Sequence, residues 1–373
     1  MFDFSQLKPG RLQARLAAAV LSLVGSGAAP AQQTEWQVKG RLMGGAKNAA
    51  GTEFKKSTDV SGIACTTETG FPRICLIVDD ESPGAQIVIM KDGEMIAGDF
   101  IQLIAEVHTA KDGQEKLAEL DAEAVAYSEG AFYVTGSHGR PRKTDDGLSS
   151  SSAKAAMTRR LFRIVLPTGS VDLSTGKLSG APIVTASSEL EKLFESDAAL
   201  TASFDAALAK SGLGVEGLAV TGNELHIGLR SPVLDGCAVM VTAPLDLVFS
   251  PSSSSSCKSR IQSVDLGRDT TGGVRGIRDL VAYKDGFLII AGPMLDPDEK
   301  AYVIQKGDYT IYRQVGNATT KLLDLDGYVI DREIKVKPEA LLPLDEKDGT
   351  LRALILFDGP MNGAGRTVAI PLK

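Results

Sequence analysis

The chain has 373 residues, of which 43% are hydrophobic and 23% charged, and its formal net charge is −7. This length and composition are enough to bury a large core and exclude a disordered chain. The excess of acidic residues repels phosphate backbones and anionic lipids, so nucleic acid and membrane surfaces are not expected partners.

The first 31 residues have the order of a secretory signal peptide. Three basic residues come first, an apolar run covers 16–24, and small residues lead up to Ala31. A retained membrane anchor is the alternative, but the apolar run is shorter than the ~20 residues that a spanning helix needs. We therefore expect cleavage after Ala31, a mature domain over 32–373 and a periplasmic or secreted protein that has no membrane segment after cleavage.

The four cysteines favour disulfides over a metal site, because an exported chain meets an oxidising compartment and only three histidines are present. Cys65 and Cys75 lie on the two strands of one predicted hairpin, close enough for a bridge. Cys237 and Cys257 flank a strand and a serine-rich loop. Four cysteines allow three pairings, and the sequence leaves the choice open.

A two-strand unit recurs five times along the chain. It consists of a short apolar strand, a turn and a second strand that ends in polar residues, as in 215–232. One hydrophobic residue at the same place in each copy gives spacings of 62, 93, 62 and 61 residues: Ile63, Val125, Leu218, Leu280 and Leu341. The long second interval contains an insertion, with a polar loop over 140–158 and a helical stretch over 187–212 that starts with the capping box Ser188–Glu191.

Further predicted strands bring each unit to about four, which is the content of one propeller blade. The last unit is one strand short, and Trp36–Leu42 can supply the missing strand and leave no open sheet edge. We predict an all-β fold, a five-bladed β-propeller closed by its N-terminal strand, as a single domain with one helical insertion. A six-bladed ring, with part of the insertion as the sixth blade, is the alternative.

Polar residues are predicted to gather at one end of the central channel, which we call the rim. The innermost strands start there and their partners end there, because antiparallel neighbours run in opposite directions. Four polar residues at these strand ends are candidate ligand-binding residues of the rim: Asp79, Ser231, Arg278 and Asp358.

Three glutamates occupy equivalent places at the start of their strands: Glu123, Glu216 and Glu339. Carboxylates that face one channel repel each other unless positive charge lies between them. Ca²⁺, which prefers oxygen ligands, is one candidate for that charge. Arg278, at the same place in the fourth copy, is another. Hydrogen bonds from the backbone of neighbouring blades are a third explanation.

Two further rim residues are candidate catalytic residues. His138 follows a strand end and precedes several basic residues, so it can act as a general base or contact a phosphate. Arg230 ends the equivalent strand of the next copy and can bind a carboxylate or phosphate with both arms of its guanidinium. The alternatives are a surface-loop histidine and an arginine paired with an acid of a neighbouring blade.

Several short motifs resemble those of the DUF3616 family: Val215–Ala219, Gly228–Pro232, Gly276–Leu280, Arg160–Ile164 and Pro338–Leu341. The resemblance spans roughly residues 57–373. It implies a propeller-like, mostly bacterial protein of unknown function, distantly similar to esterase-like and phytase-like propellers. The first copy has Ser61 where three other copies have Glu, which departs from a complete ring of carboxylates.

Two functions fit these residues. The first is a non-catalytic, monomeric binding module that holds a small molecule or a protein partner at the rim. The second is a cation-dependent hydrolase of phosphoesters or lactones, in which a metal ion polarises the substrate. We favour binding, because the sequence contains no Gly-x-Ser-x-Gly, phosphate-binding loop or Cys-x-x-Cys motif, and a propeller by itself indicates no chemistry.

Overall fold

The computed structural model describes residues 35–110, 113–140, 156–250, 259–295, 304–325 and 336–372. The predicted signal peptide and part of the predicted polar loop lie outside these ranges. Among the described residues, none of the helices has the length and hydrophobicity that crossing a bilayer requires.

The first half of the chain forms two of the blades and two small hairpins. Blade 1 consists of β4 to β7 with β1 added at its outer edge, and blade 2 consists of β10 to β13. The strands are β1 (Gln37–Lys39), β2 (Met43–Ala46), β3 (Phe54–Lys56), β4 (Val60–Cys65), β5 (Arg73–Asp79), β6 (Gly84–Lys91), β7 (Glu94–Gln102), β8 (Val107–Thr109), β9 (Glu115–Leu117), β10 (Ala122–Ser128), β11 (Ala131–Gly136), β12 (Leu161–Val165) and β13 (Ile183–Ser187).

The second half forms blades 3, 4 and 5, with four, four and three strands. Apart from β1, which runs parallel to β7, hydrogen-bonded neighbours within every blade are antiparallel. The strands are β14 (Gly214–Thr221), β15 (Glu224–Leu234), β16 (Cys237–Pro244), β17 (Arg260–Val264), β18 (Arg275–Tyr283), β19 (Gly286–Pro293), β20 (Thr310–Val315), β21 (Ala318–Asp324), β22 (Lys337–Lys347), β23 (Thr350–Asp358) and β24 (Arg366–Pro371).

The five blades close into a ring. The innermost strands β4, β10, β14, β18 and β22 contact one another in sequence, and β22 contacts β4. Apolar side chains fill the space between adjacent sheets; Ile87 of blade 1, for example, packs in one cluster with Phe132 of blade 2. Burying both faces of each sheet in this way supplies the main stabilisation of the fold. The predicted five-bladed propeller is confirmed.

The N-terminal segment closes the ring in a different way from a full extra strand. Glu35 bridges Arg366 of the last blade, and the Trp36 backbone N–H donates to the Gly365 carbonyl at 2.8 Å. From Gln37 onward the chain pairs instead with β7 of blade 1. The segment therefore joins the last blade to the first, and it covers the outer edge of β7 because that edge has backbone groups left to pair.

The insertion in blade 2 is helical, but it is not one continuous helix. It contains α1 (Glu189–Ser196), α2 (Thr201–Phe204) and a 3₁₀ turn, Leu208–Lys210, while a third short helix, α3 (Leu245–Phe249), follows β16. The expected capping box does not form, because the Glu191 carboxylate binds Arg159 at 3.1 Å. No sixth sheet of blade type occurs in the described ranges, which agrees with five blades.

Candidate functional site

Every innermost strand carries a β-bulge at the same place. In blade 3, Val215 pairs with Leu229 and Gly217 with Gly228, so Glu216 between them has no partner in the ladder. Such an extra residue re-aims its side chain. The bulged residues of blades 1 to 5 are Ser61, Glu123, Glu216, Arg278 and Glu339. The polar set that the repeat aligns at the rim is therefore the set of bulge residues.

The same register defines a second ring of residues on the partner strands. In each blade, one ladder pair comes directly before the bulge of the innermost strand, as Val215–Leu229 does in blade 3. The residue that comes next along the chain after the partner-strand member of this pair belongs to the second ring. These residues are Asp80, Ser137, Arg230, Gly292 and Asp358. The Gly292 position of blade 4 has no room for a side chain. A Cβ there would lie 2.5 Å from Cε1 of Tyr309 and 2.9 Å from Cγ of Arg278. The missing side chain is what lets Arg278 occupy this space.

A buried network of two arginines and two glutamates joins blades 3, 4 and 5. Arg230 Nη1 lies 2.9 Å from Glu216 Oε1, and Arg278 Nε lies 2.9 Å from Glu216 Oε2. Arg278 Nη2 also pairs with Glu339 Oε1. Burial raises the pKa of Glu339, and the Arg278 guanidinium opposes that rise. The structure thus places Arg278 between two of the three glutamates that were predicted to hold a cation.

The third glutamate lies in an acidic group on the opposite side of the rim. Carboxylate oxygens of Asp80, Asp121 and Glu123 all lie within 4.8 Å of one another. Burial, followed by repulsion from neighbouring carboxylates, raises the pKa of both Asp80 and Glu123 well above the usual range. Oδ1 of Asp80 is buried and has no hydrogen-bond partner among the described residues. We call these three residues the acidic triad.

Backbone contacts hold the acidic triad in place. Asp121 adopts a positive φ of 56°, and its N–H donates to the Asp80 carbonyl at 3.0 Å. The hydroxyl of Ser137 donates to Asp121 Oδ2. Asp80 precedes blade 2 in the chain and Asp121 opens it, so their approach depends on the packing of blade 1 against blade 2. Asp121 and Glu123 are close along the chain, and the fold brings Asp80 next to them.

The other two acids predicted at the rim, Asp358 and Asp79, have ion-pair or hydrogen-bond partners where blade 5 meets blade 1. Asp358 pairs with Lys337 and lies against the Asp59 carboxyl. Burial and this contact raise the pKa of Asp59 to about 7. Asp79 accepts hydrogen bonds from the Ser57 hydroxyl at 2.7 Å and the Asp59 N–H at 3.1 Å. Asp79 thus fastens the chain that precedes β4.

The predicted catalytic residue His138 is buried and does not lie on the surface. Its ring contacts the edge of Phe194 in α1, with ring centres 5.4 Å apart, and neither ring nitrogen has a hydrogen-bond partner in the described part of the chain. Burial, with a smaller effect of Arg159, lowers the pKa of His138 to about 3. Ser231 is buried as well. The imidazole is therefore neutral and shielded near pH 7.

The cysteine predictions have separate outcomes. Cys65 and Cys75 face each other across β4 and β5 and form a disulfide, as predicted. Cys237 is a free, half-buried cysteine, and Cys257 lies outside the described ranges.

The sequence reasoning did not assign Asp80 or Asp121 to the cation site. The available signal was the acidic residues at two strand ends of the rim: Asp79 and Asp80 at the end of β5, and Asp121 and Glu123 at the start of β10. The equivalence of strand ends along the chain does not predict which side chains of adjacent blades meet, and Asp80 of blade 1 lies next to Asp121 and Glu123 of blade 2.

Solved structures with a similar arrangement share little sequence with this chain. An α-L-arabinofuranosidase from Podospora anserina has 10% identity and a TM-score of 0.37, over 90% of this chain and 96% of that chain. An endo-arabinanase from Bacillus licheniformis has 10% identity and a TM-score of 0.34, over 90% and 95%. A protein from Thermus thermophilus described as a putative oxidoreductase (glucose dehydrogenase) has 11% identity and a TM-score of 0.35, over 89% of this chain and 98% of that chain. Similarity this weak says nothing about activity.

No curated protein matches the sequence. The family model described as "Protein of unknown function (DUF3616)" matches residues 76–368. This range contains the whole acidic triad and four of the five bulge residues; Ser61 lies before it. The match covers most of the chain, and the propeller agrees with the fold that the resemblance implied. The chain therefore belongs to the DUF3616 family.

Proposed function

We propose that this protein is an exported binding module that holds its ligand at the rim through a divalent cation on the acidic triad. The observation that carries the proposal is the convergence of Asp80, Asp121 and Glu123, whose carboxylate oxygens lie within 4.8 Å of one another. Three carboxylates at this spacing need protons or a cation between them. Oxygen ligands favour a hard ion, and Ca²⁺ accepts six to eight of them in irregular geometry.

The distribution of charge around the rim supports a cation on this side. The two arginines of the buried network are matched by Glu216 and Glu339. In the described residues no salt bridge reaches Asp80 or Glu123, so their charges are not balanced by a basic side chain. The buried oxygen of Asp80 without a hydrogen bond is a free acceptor of the kind that a metal ion uses.

Three side chains leave a calcium ion several open coordination positions. Backbone carbonyls, water or oxygen atoms of a ligand would occupy them, so the ligand is expected to carry oxygen donors. A small molecule and a protein partner both fit, and the acidic surface disfavours nucleic acid. The Cys65–Cys75 disulfide supports an oxidising compartment, in keeping with a periplasmic or secreted protein. We expect the exported protein to be a monomer.

The hydrolase alternative uses the same cation as a Lewis acid. It is supported less well, because its expected acid–base residue His138 is fully buried and its expected anion-binding residue Arg230 is occupied by Glu216. The acidic triad is common to both functions. A search for turnover of phosphoesters and lactones in the presence of Ca²⁺ distinguishes them.

The test is a thermal melt after dialysis against a chelator, with and without added Ca²⁺. An ion that binds only the folded state stabilises it by about 2.7 kcal/mol at a hundred times its dissociation constant. We expect a rise in Tm for the wild type and for Glu53→Gln, an exposed control outside the acidic triad. The double variant Asp80→Asn, Glu123→Gln should show no rise. Absence of a shift in the wild type with millimolar Ca²⁺ or Mg²⁺ would overturn the proposal.

A further inference from the structure

The end of the channel opposite the rim contains a cavity of about 510 Å³. All five innermost strands contribute to its wall, together with the residues that follow β4. Pockets for small molecules typically measure roughly 300–1,000 Å³. The cavity is therefore large enough for a ligand of modest size, and it is separate from the acidic triad because the two share no residue.

The deep part of the cavity is aliphatic. One buried side chain from each blade lines it: Ile63, Val125, Leu218, Leu280 and Leu342. These residues follow the bulges by two or three positions, and the buried arginine–glutamate network begins on the other side of them. The cavity thus ends at a floor below the rim, and its interior favours the apolar part of a ligand.

Aromatic rings and carboxylates surround the mouth. Tyr127 and Tyr283 line it, together with Glu68 and Glu129. The Tyr283 ring already attracts two cations, since Lys284 Nζ lies 5.4 Å and Arg313 Cζ 5.9 Å from its centre. The faces of tyrosine rings favour positive charge. The aromatic part of the mouth therefore suits a cationic group.

The charged side chains that the structure describes at the mouth of the cavity include two carboxylates that are not balanced by a basic side chain. Lys284 pairs with Glu346 at 2.5 Å, and Arg352 Nε binds Asp345 at 2.9 Å. The exposed carboxylates of Glu68 and Glu129 have no ion-pair partner within the part of the chain that the structure describes.

Arg73 also lines the cavity, but its guanidinium is turned toward the backbone. It donates to the carbonyls of Gly70, Glu68, Pro343 and Leu344 at 2.9–3.1 Å. An anionic ligand would therefore meet two unpaired carboxylates and an arginine that is already engaged. Charge at the mouth favours a cation.

We propose that this cavity binds a small hydrophobic ammonium compound. The apolar body lies between the aliphatic side chains of the five blades, and the ammonium group lies at the mouth among Tyr127, Tyr283, Glu68 and Glu129. Attraction by the two carboxylates and the two ring faces offsets the loss of water from the ammonium group. The inference goes beyond the function proposed for the rim and does not depend on it.

Isothermal titration with octyltrimethylammonium below its micelle concentration tests the proposal, with octanol and octanoate as neutral and anionic chains of the same length. We expect one cation bound per chain, weaker binding at high salt, weaker binding of octanol and the weakest binding of octanoate. Failure of the cation to bind at one site, or equal affinity for octanoate, would overturn it.

Two variants locate the site. Ala282 is exposed and lines the mouth, so Ala282→Trp should obstruct it and weaken binding at least tenfold without disturbing the core. Glu68→Gln with Glu129→Gln should weaken binding several-fold, whereas the exposed control Glu53→Gln should not change it. Unchanged affinity in folded Ala282→Trp excludes the site. If that variant fails to fold, unchanged affinity in the double glutamate variant excludes it instead.

Discussion

Arg278 in blade 4 and Glu216 in blade 3 form a buried ion pair, with Nε and Oε2 2.9 Å apart. Because Arg278 also pairs with Glu339 of blade 5, one guanidinium joins three consecutive blades through side chains that the bulges direct toward the channel. Only 1% of the Arg278 side chain is exposed. Its charge is thus removed from water and depends on these two carboxylates.

Replacing Arg278 with methionine should cost about 3–5 kcal/mol of unfolding free energy, because two buried carboxylates lose their shared partner. Urea unfolding at pH 7 measures this cost. The matched control is Arg260→Met, which breaks an exposed pair with Glu224 and should cost at most about 1 kcal/mol. Equal small losses in the two variants would show that the buried network contributes little.

Blades 3 and 4 approach each other closely at Gly217. A Cβ on Gly217 would lie 2.8 Å from Cβ of Leu280 and 3.1 Å from its backbone nitrogen. Gly217→Ala should therefore destabilise the fold by about 1–3 kcal/mol, since neither strand has room to move. Gly214→Ala in the same strand is the control, because the nearest atom there is 3.4 Å away. In denaturant unfolding, the free energy of unfolding of Gly217→Ala should be lower than that of Gly214→Ala by at least about 1 kcal/mol. Identical midpoints for the two variants would contradict the prediction.

The residues just described show how far sequence reasoning reaches in this fold. The repeat of two-strand units places Leu218 and Leu280 at equivalent points in consecutive blades, and this repeat was enough to predict five blades. The partner of each bulge residue is harder to predict. Glu123, Glu216 and Glu339 are equivalent along the chain, but Arg278 lies next to only two of them in the ring. Contacts of this kind depend on which blades are neighbours and on the direction in which long side chains cross between them.

The burial of His138 shows a second limit. A histidine between Ser137 and Gly139 at a strand end is typical of an exposed loop, and the insertion helix that covers it lies some fifty residues further along. The sequence predicts that an amphipathic helix forms there, because Leu190 and Phe194 lie on one face. It does not indicate which part of the propeller that face covers.

The Asp59–Asp358 contact predicts a decrease in stability as the pH rises. The pKa of Asp59 is about 7 in the folded protein and near 3.8 in the unfolded chain, so the folded state binds more protons between these values. Stability from Asp59 is complete below about pH 4 and is lost as the pH approaches 7. Asp59→Asn should reduce this decline in urea melts from pH 4 to 7 in chelator. The exposed control Asp348→Asn should keep it, and a decline of the same slope in Asp59→Asn would contradict the assignment.

His138 predicts a change of opposite sign. Burial lowers its pKa to about 3 from an ordinary value of 6.5, so the unfolded chain binds the additional proton in this interval. Stability from the neutral imidazole is complete above pH 6.5 and falls by about 1.4 kcal/mol for each pH unit below it. His138→Asn tolerates the positive φ of 54° at this position and removes the titrating group. Its unfolding free energy should fall less steeply between pH 6.5 and 5 than that of the wild type. The matched control is His108→Asn, since His108 lies exposed in β8 and should leave the slope unchanged. If both variants retained the wild-type slope, the acid sensitivity would have to come from groups other than the imidazole beneath α1.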